Sequence, residues 1–188
     1  MAESRFDQPE MFGEQIWLRP IELRDALVLA EVSLEVDPDW SPIPSVAVSE
    51  TAFRAWIQGL EESELVWAIC RTDHQEAIGT ASIRSIDLQH RNAETGMGLF
   101  YANDRGKGLG GEVKELLLDF AFEVMGMHVV KCTIDSRNTR SQKSVEKSGY
   151  TRAGSFTADI PMGRGEYADT VVYQLLVSEW RARKGSGS

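Results

Sequence analysis

Arg105-Gly106-Lys107-Gly108-Leu109-Gly110-Gly111 joins a strand-like run, 96–102, to a long amphipathic run, 112–124. Glycine at such a junction takes a positive φ without penalty and lets the backbone come close to a ligand. The helix that follows presents free N–H groups and the positive end of its dipole to an anion. The stretch therefore predicts a loop that binds a phosphate-bearing ligand.

Two common phosphate loops compete for it. A P-loop needs G-x-x-x-x-G-K-[S/T], and no such string occurs. A dinucleotide loop needs G-x-G-x-x-G, which Gly106, Gly108 and Gly111 match, with Asp135 placed as a ribose partner. In that fold the first glycine follows its strand almost directly, whereas Asn103-Asp104-Arg105 intervene here. A third pattern, [Q/R]-x-x-G-x-[G/A], is met by Arg105, Gly108 and Gly110.

The neighbouring sequence favours the third. Downstream, Asn138 reads as the N-cap of a short helix that Gly149-Tyr150 ends. The spacing is N-x-x-S-x-x-V-x-x-K-x-G-Y. Upstream, Glu94 lies eleven residues before Arg105. Trp17-Leu18-Arg19-Pro20 with Asp25-Ala26, and Asp169-Thr170-Val171-Val172-Tyr173, complete the pattern. Over residues 14–180 this resembles the Gcn5-related N-acetyltransferases. The branch it is most similar to acetylates ribosomal-protein N-termini and has many small-molecule relatives.

The order of elements agrees. Strand-like segments 15–23, 65–71, 77–86, 93–102, 128–134, 151–160 and 169–177 alternate with helical segments 24–36, from Ser49, 111–125 and 138–148. Residues 72–76 read as a hairpin loop, and 161–165, with Pro161, Gly163 and Gly165, as another. Three prolines in 37–44 deny regular structure there. The order β-α-α-β-β-β-α-β-α-β-β is not that of a doubly wound sheet. It suits a mixed α/β fold. The resemblance implies a central, mostly antiparallel sheet, splayed around an acetyl-CoA site and flanked by helices. Residues 1–13 are expected to be a loose N-terminus, 14–180 the acetyltransferase domain, and 181–188 a disordered tail.

Composition narrows the function classes. The 188 residues carry 20 Lys and Arg against 29 Asp and Glu, a net charge of −9, which argues against nucleic acid as the main partner. An acidic surface favours encounter with a cationic amine. No apolar run reaches the ~18 residues of a membrane span. The first residues lack the basic and apolar regions of a secretion signal. Cys70 and Cys132 stand apart inside apolar runs and read as core rather than disulfide or metal ligands. None of the three histidines has ligand spacing, and no metal is assigned. A cytoplasmic monomer or homodimer is expected.

The resemblance assigns the site. Glu94 is implied as general base, and as part of the substrate site with Trp40 and Tyr167. The cofactor is acetyl-CoA. Its binding set is Leu99, Phe100 and Tyr101 at the strand end, Arg105, Gly106, Lys107, Gly108, Leu109, Gly110 and Gly111 in the loop, and Asn138, Ser141 and Ser144 on the short helix. Many members place an acidic tyrosine on that helix where Val145 stands here. Ser141 and Ser144 are the nearest hydroxyls on that helix and Tyr150 is a third candidate; Ser141 is taken as the second catalytic residue. The acceptor is expected to be a primary amine, a protein N-terminal α-amine first and a small-molecule amine as the alternative. A non-catalytic acyl-CoA-binding module is the alternative of another class, and a dinucleotide oxidoreductase a more distant one.

Overall fold

The computed structural model describes residues 8–32, 49–61, 63–163 and 165–185. Eight strands form one sheet in the order β1-β2-β3-β4-β5-β6-β8-β7. They are β1 (Met11–Phe12), β2 (Ile16–Pro20), β3 (Leu65–Arg71), β4 (Ala77–Asp87), β5 (Asn92–Leu99), β6 (Val129–Asp135), β7 (Thr151–Gly163) and β8 (Glu166–Leu176). Every adjacent pair is antiparallel except β5 and β6. The helices are α1 (Asp25–Val32), α2 (Glu50–Gln58), α3 (Leu109–Asp119), α4 (Thr139–Lys147) and α5 (Val177–Gly185).

Alternation along the strands divides the sheet into two faces. Trp67, Ile69, Ile83 and Val130 join Leu109, Val113 and Leu117 of α3, Val145 of α4 and Trp180 of α5 in the main core. On the other face Ala68, Cys70 and Ala77 form a smaller cluster with Trp17, Val28 of α1 and Phe100. Both cysteines are free and buried.

Several expected boundaries move. The helix expected to run on to residue 125 stops being α-helical at Asp119, and Phe120–Val124 form a π turn. Phe120, Ala121 and Phe122 are consecutive and all buried, which a 3.6-residue turn does not readily allow. Phe120 meets the Trp67 ring edge-on at 5.7 Å, and Phe122 lies 5.2 Å from Trp180. The 161–165 loop shrinks to a turn at Gly165, because β7 continues through Pro161 to Gly163. A proline is tolerated there since β7 is the sheet edge and its ladder with β8 shifts register just after Pro161.

Residues 8–13, expected to be loose, are tied to the sheet. β1 pairs with β2, Phe12 stacks on Trp17, and the Trp67 indole donates to the Pro9 carbonyl at 2.8 Å. Residues 181–185, expected to be disordered, are helical. α5 reaches Gly185, anchored by buried Trp180 and by Arg183–Glu115 and Lys184–Asp119 ion pairs to α3. The first long strand ends at Pro20 rather than 23, although Ile21 still donates to the Val66 carbonyl. Trp40, and α1 beyond Val32, lie outside the described residues.

Candidate active site

The site begins where β5 and β6 part. Their pairing covers only Asn92↔Val129, Ala93↔Val130 and Glu94↔Lys131. β5 runs on to Leu99 and β6 to Asp135 with no rung between them. On its other edge β5 stays paired with β4 as far as Leu99. The Arg91 carbonyl faces β6, where His128 donates to it, and the Phe100 N–H faces β4. Strand alternation then turns the backbone groups of Met97 and Leu99 into the gap.

One hydroxyl pair closes the apex. Thr95 Oγ1 donates to the Lys131 carbonyl at 3.3 Å, so the bond at 2.8 Å between Thr95 Oγ1 and Tyr150 Oη has the tyrosine as donor. Tyr150 is buried, and burial pushes its phenol well above the usual range.

The glycine loop stands at the open end. Gly108 caps α3 with φ +88°, and Gly106 has φ +77°. The N–H groups of Leu109 and Gly110 open the helix without intrahelical partners. A Cβ at Gly106, Gly108 or Gly111 would meet nothing within 4 Å, because these positions border open space. Buried Asp104, paired with Arg71, fixes the turn that feeds the loop. Arg105 folds back and donates to the Leu99 and Phe100 carbonyls at 3.2 and 3.4 Å. Opposite, Asn138 accepts from the Ser141 N–H at 3.0 Å and holds the start of α4.

Loop, gap and α4 enclose one groove of about 440 Å³. It gathers Leu99, Arg105, Gly106, Gly108, Gly110, Gly111, Asn138, Ser141 and Ser144 from the expected set. Other members of that set fall elsewhere. The Leu109 side chain is core, Phe100 packs on the opposite face, and Tyr101 stacks edge-on to Phe100. Lys107 is not on the groove wall, and Tyr167 is exposed, paired with Pro161 on the β7–β8 hairpin.

Glu94 sits on the last rung before the gap, on the α1 face of the sheet. Thr133 Oγ1 donates to its Oε1 at 2.6 Å, and Arg84 Nη2 lies 3.7 Å from the same oxygen. Thr133 itself lines the groove, so it links the carboxylate to that space. Gly96 has its own purpose here. A Cβ on it would come within 3.1 Å of Ser82 Oγ and 3.5 Å of Arg84 Nη2. Its glycine makes room for the guanidinium that reaches Glu94.

Lys114 was not among the expected residues. It lines the groove, and its Nζ donates to Ser144 Oγ at 2.6 Å. Desolvation holds its ammonium below the usual lysine range. The signal was present in the sequence: Lys114 lies three and four residues after Gly111 and Gly110, on the same helix face. A partly buried cation with a hydroxyl partner, a helix N-terminus and a strand edge without a strand partner together fit an anionic, strand-like ligand such as an acyl-CoA.

The comparisons with known proteins agree. A family model described as acetyltransferase (GNAT) domain matches residues 15–151. The uncharacterized N-acetyltransferase p20 of Bacillus licheniformis is 27% identical over 177 residues, 90% of this chain and 97% of that protein. Among solved structures, a Chromobacterium violaceum protein classed in the GNAT family is 25% identical with a TM-score of 0.80, covering 94% of this chain and 90% of that one. A ribosomal-protein-S5-alanine acetyltransferase from Vibrio fischeri shares the fold at 19% identity and a TM-score of 0.78, covering 92% and 98%. The family model spans most of the chain, and this protein accordingly belongs to the GNAT acetyltransferases as an N-acetyltransferase.

Proposed function

We propose that this chain transfers an acetyl group from acetyl-CoA to the α-amine of a protein N-terminus. The observation that carries the donor half is the gap between β5 and β6, with a helix N-terminus at its open end. The donor supplies a thioester. Leu109 and Gly110 N–H groups, with Arg105 beside them, hold its phosphates. The Met97 backbone groups and the Leu99 N–H hold its extended arm. Glu94 takes the proton from the incoming ammonium, and Thr133 and Arg84 hold its carboxylate in place. Ser141, on the wall near the apex, offers a hydroxyl to the departing sulfur.

Three things support the α-amine. An α-amine, near pKa ~8, releases its proton more readily than a lysine near ~10.4. The net charge of −9 favours cationic acceptors. The motifs resemble the branch that acts on ribosomal-protein N-termini. Two measurements test the reading. Calorimetry is expected to show saturable acetyl-CoA binding and far weaker NADH binding; the reverse order rejects the donor. Peptides with free N-termini are expected to gain an acetyl group by mass, and blocked ones not. If polyamines, amino sugars or free amino acids react and peptides do not, the acceptor is a small amine.

The loop gives a further expectation. Gly108→Val places a β-branched residue at φ +88°, a strain of roughly 1–2 kcal/mol. The loop relieves it by leaving its conformation, and KM for acetyl-CoA rises by about tenfold. Nothing crowds that Cβ, so the far-UV circular dichroism stays unchanged. Unaltered cofactor kinetics in the folded variant would show that the loop is only a turn.

A further inference from the structure

We propose that the closed end of the groove holds an acyl-chain pocket, which favours linear saturated acyl-CoA thioesters longer than acetyl. The proposal rests on assigning the groove to acyl-CoA.

A second cavity of about 80 Å³ lies at the apex, behind the point where β5 and β6 part. It shares Met97, Lys114, Thr133, Ile134 and Ser141 with the groove, so the two spaces adjoin. Its deeper wall is Leu117, Cys132, Val145 and Tyr150. The groove is open at the phosphate loop and closed at Thr95. A ligand anchored by phosphates at the first end brings its thioester to the second, and whatever extends past the carbonyl enters this cavity.

Several polar groups around the cavity are already engaged, the Ser141 hydroxyl excepted. Lys114 Nζ is turned to Ser144, leaving its methylene stem toward the interior. Tyr150 donates to Thr95, and Thr95 to the Lys131 carbonyl. The Cys132 thiol is pushed up to about 12 by burial and stays neutral. Beside these groups stands the methyl, methylene and thioether surface of Met97, Leu117, Ile134 and Val145. One water-sized group needs roughly 10–15 Å³ on this measure, so the cavity has room for several non-hydrogen atoms. That is more than an acetyl methyl requires.

The test is calorimetric affinity of the purified chain, without acceptor, for acetyl-, propionyl-, butyryl- and succinyl-CoA. Each methylene that enters the cavity is expected to tighten binding by about fourfold, or ~0.8 kcal/mol. Propionyl-CoA is thus expected to bind about fourfold tighter than acetyl-CoA, with butyryl-CoA at least equal to propionyl-CoA. In Val145→Leu, which intrudes on the space, the propionyl-to-acetyl ratio is expected to fall toward one. Acetyl-CoA binding as tightly as propionyl-CoA, or tighter, overturns the proposal and leaves the groove assignment standing. Succinyl-CoA binding tightest overturns it too, by showing that the Lys114 charge faces the cavity. If no CoA thioester binds, the assignment of the groove itself fails. The wild-type series is decisive even if the variant does not fold.

Discussion

Glu94→Gln is expected to lower kcat by roughly 10²–10⁴, the usual worth of a positioned acid–base group, with little change in acetyl-CoA affinity. The split follows from placement. Glu94 occupies the last rung where β5 and β6 still pair, and it is not on the groove wall. Glutamine keeps the size and can still accept from Thr133 Oγ1, so the strand and the gap remain as they are. What is lost is the group that receives the ammonium proton. The deficit should shrink as pH approaches the pKa of the acceptor amine, because solvent then removes that proton instead. Rates across pH 6.5–10 on one peptide, together with calorimetric acetyl-CoA binding, check both halves. A loss independent of pH, or none, would move the base elsewhere. Weakened cofactor binding of the same size would make Glu94 a structural residue.

The legible parts of this chain are those whose signals are local. The β3–β4 hairpin follows from two β-rich runs around residues 72–76. α4 announces both its ends: Asn138 caps it, and Gly149 stops it with φ +92°. The glycine loop falls where its motif predicts, at the start of α3. The alternation that puts Glu94 and Gly96 on one face of β5, with Thr95 on the other, is also seen.

What escaped depends on partners distant in sequence. No local pattern says that β5–β6 pairing ends at Glu94, since that is a property of two strands 37 positions apart in register. The π turn answers the packing of Phe120 against Trp67 and Phe122 against Trp180. α5 has a mostly polar sequence and gains its hold from buried Trp180 and two ion pairs to α3. Pro161 reads as a loop breaker until β7 is known to be the sheet edge. In the site, the motif names Leu109, but its side chain is core. Lys114 lies outside the motif and lines the groove.

Asp25→Ala is expected to destabilise the fold by ~3–5 kcal/mol, the usual cost of stranding one member of a buried ion pair. Arg19 and Asp25 are 2% and 4% exposed. The guanidinium gives Asp25 two bonds, at 2.8 and 2.6 Å, and the carboxylate also accepts from the Glu22 N–H at 2.8 Å. Asp25 opens α1, where its charge suits the helix dipole. Hydrogen bonding to Asp25 is the main reason the Arg19 pKa is raised. That support goes with the partner, but a guanidinium is not deprotonated in proteins, so the charge stays. It would keep only the Gln75 and Pro20 carbonyls, at 3.2 and 3.3 Å. Removing both charges should cost less than removing one: Arg19→Met with Asp25→Leu is expected to be milder than Asp25→Ala, because no buried charge is left unpaired. Urea unfolding of the two variants and the parent gives the comparison. The pair joins β2, α1 and the β3–β4 hairpin loop, away from the cofactor groove. The folded fraction of Asp25→Ala should therefore bind acetyl-CoA with parental affinity, while its KM for the acceptor rises if α1 borders that substrate. A loss below ~1 kcal/mol would mean that water reaches Arg19 once the carboxylate is gone.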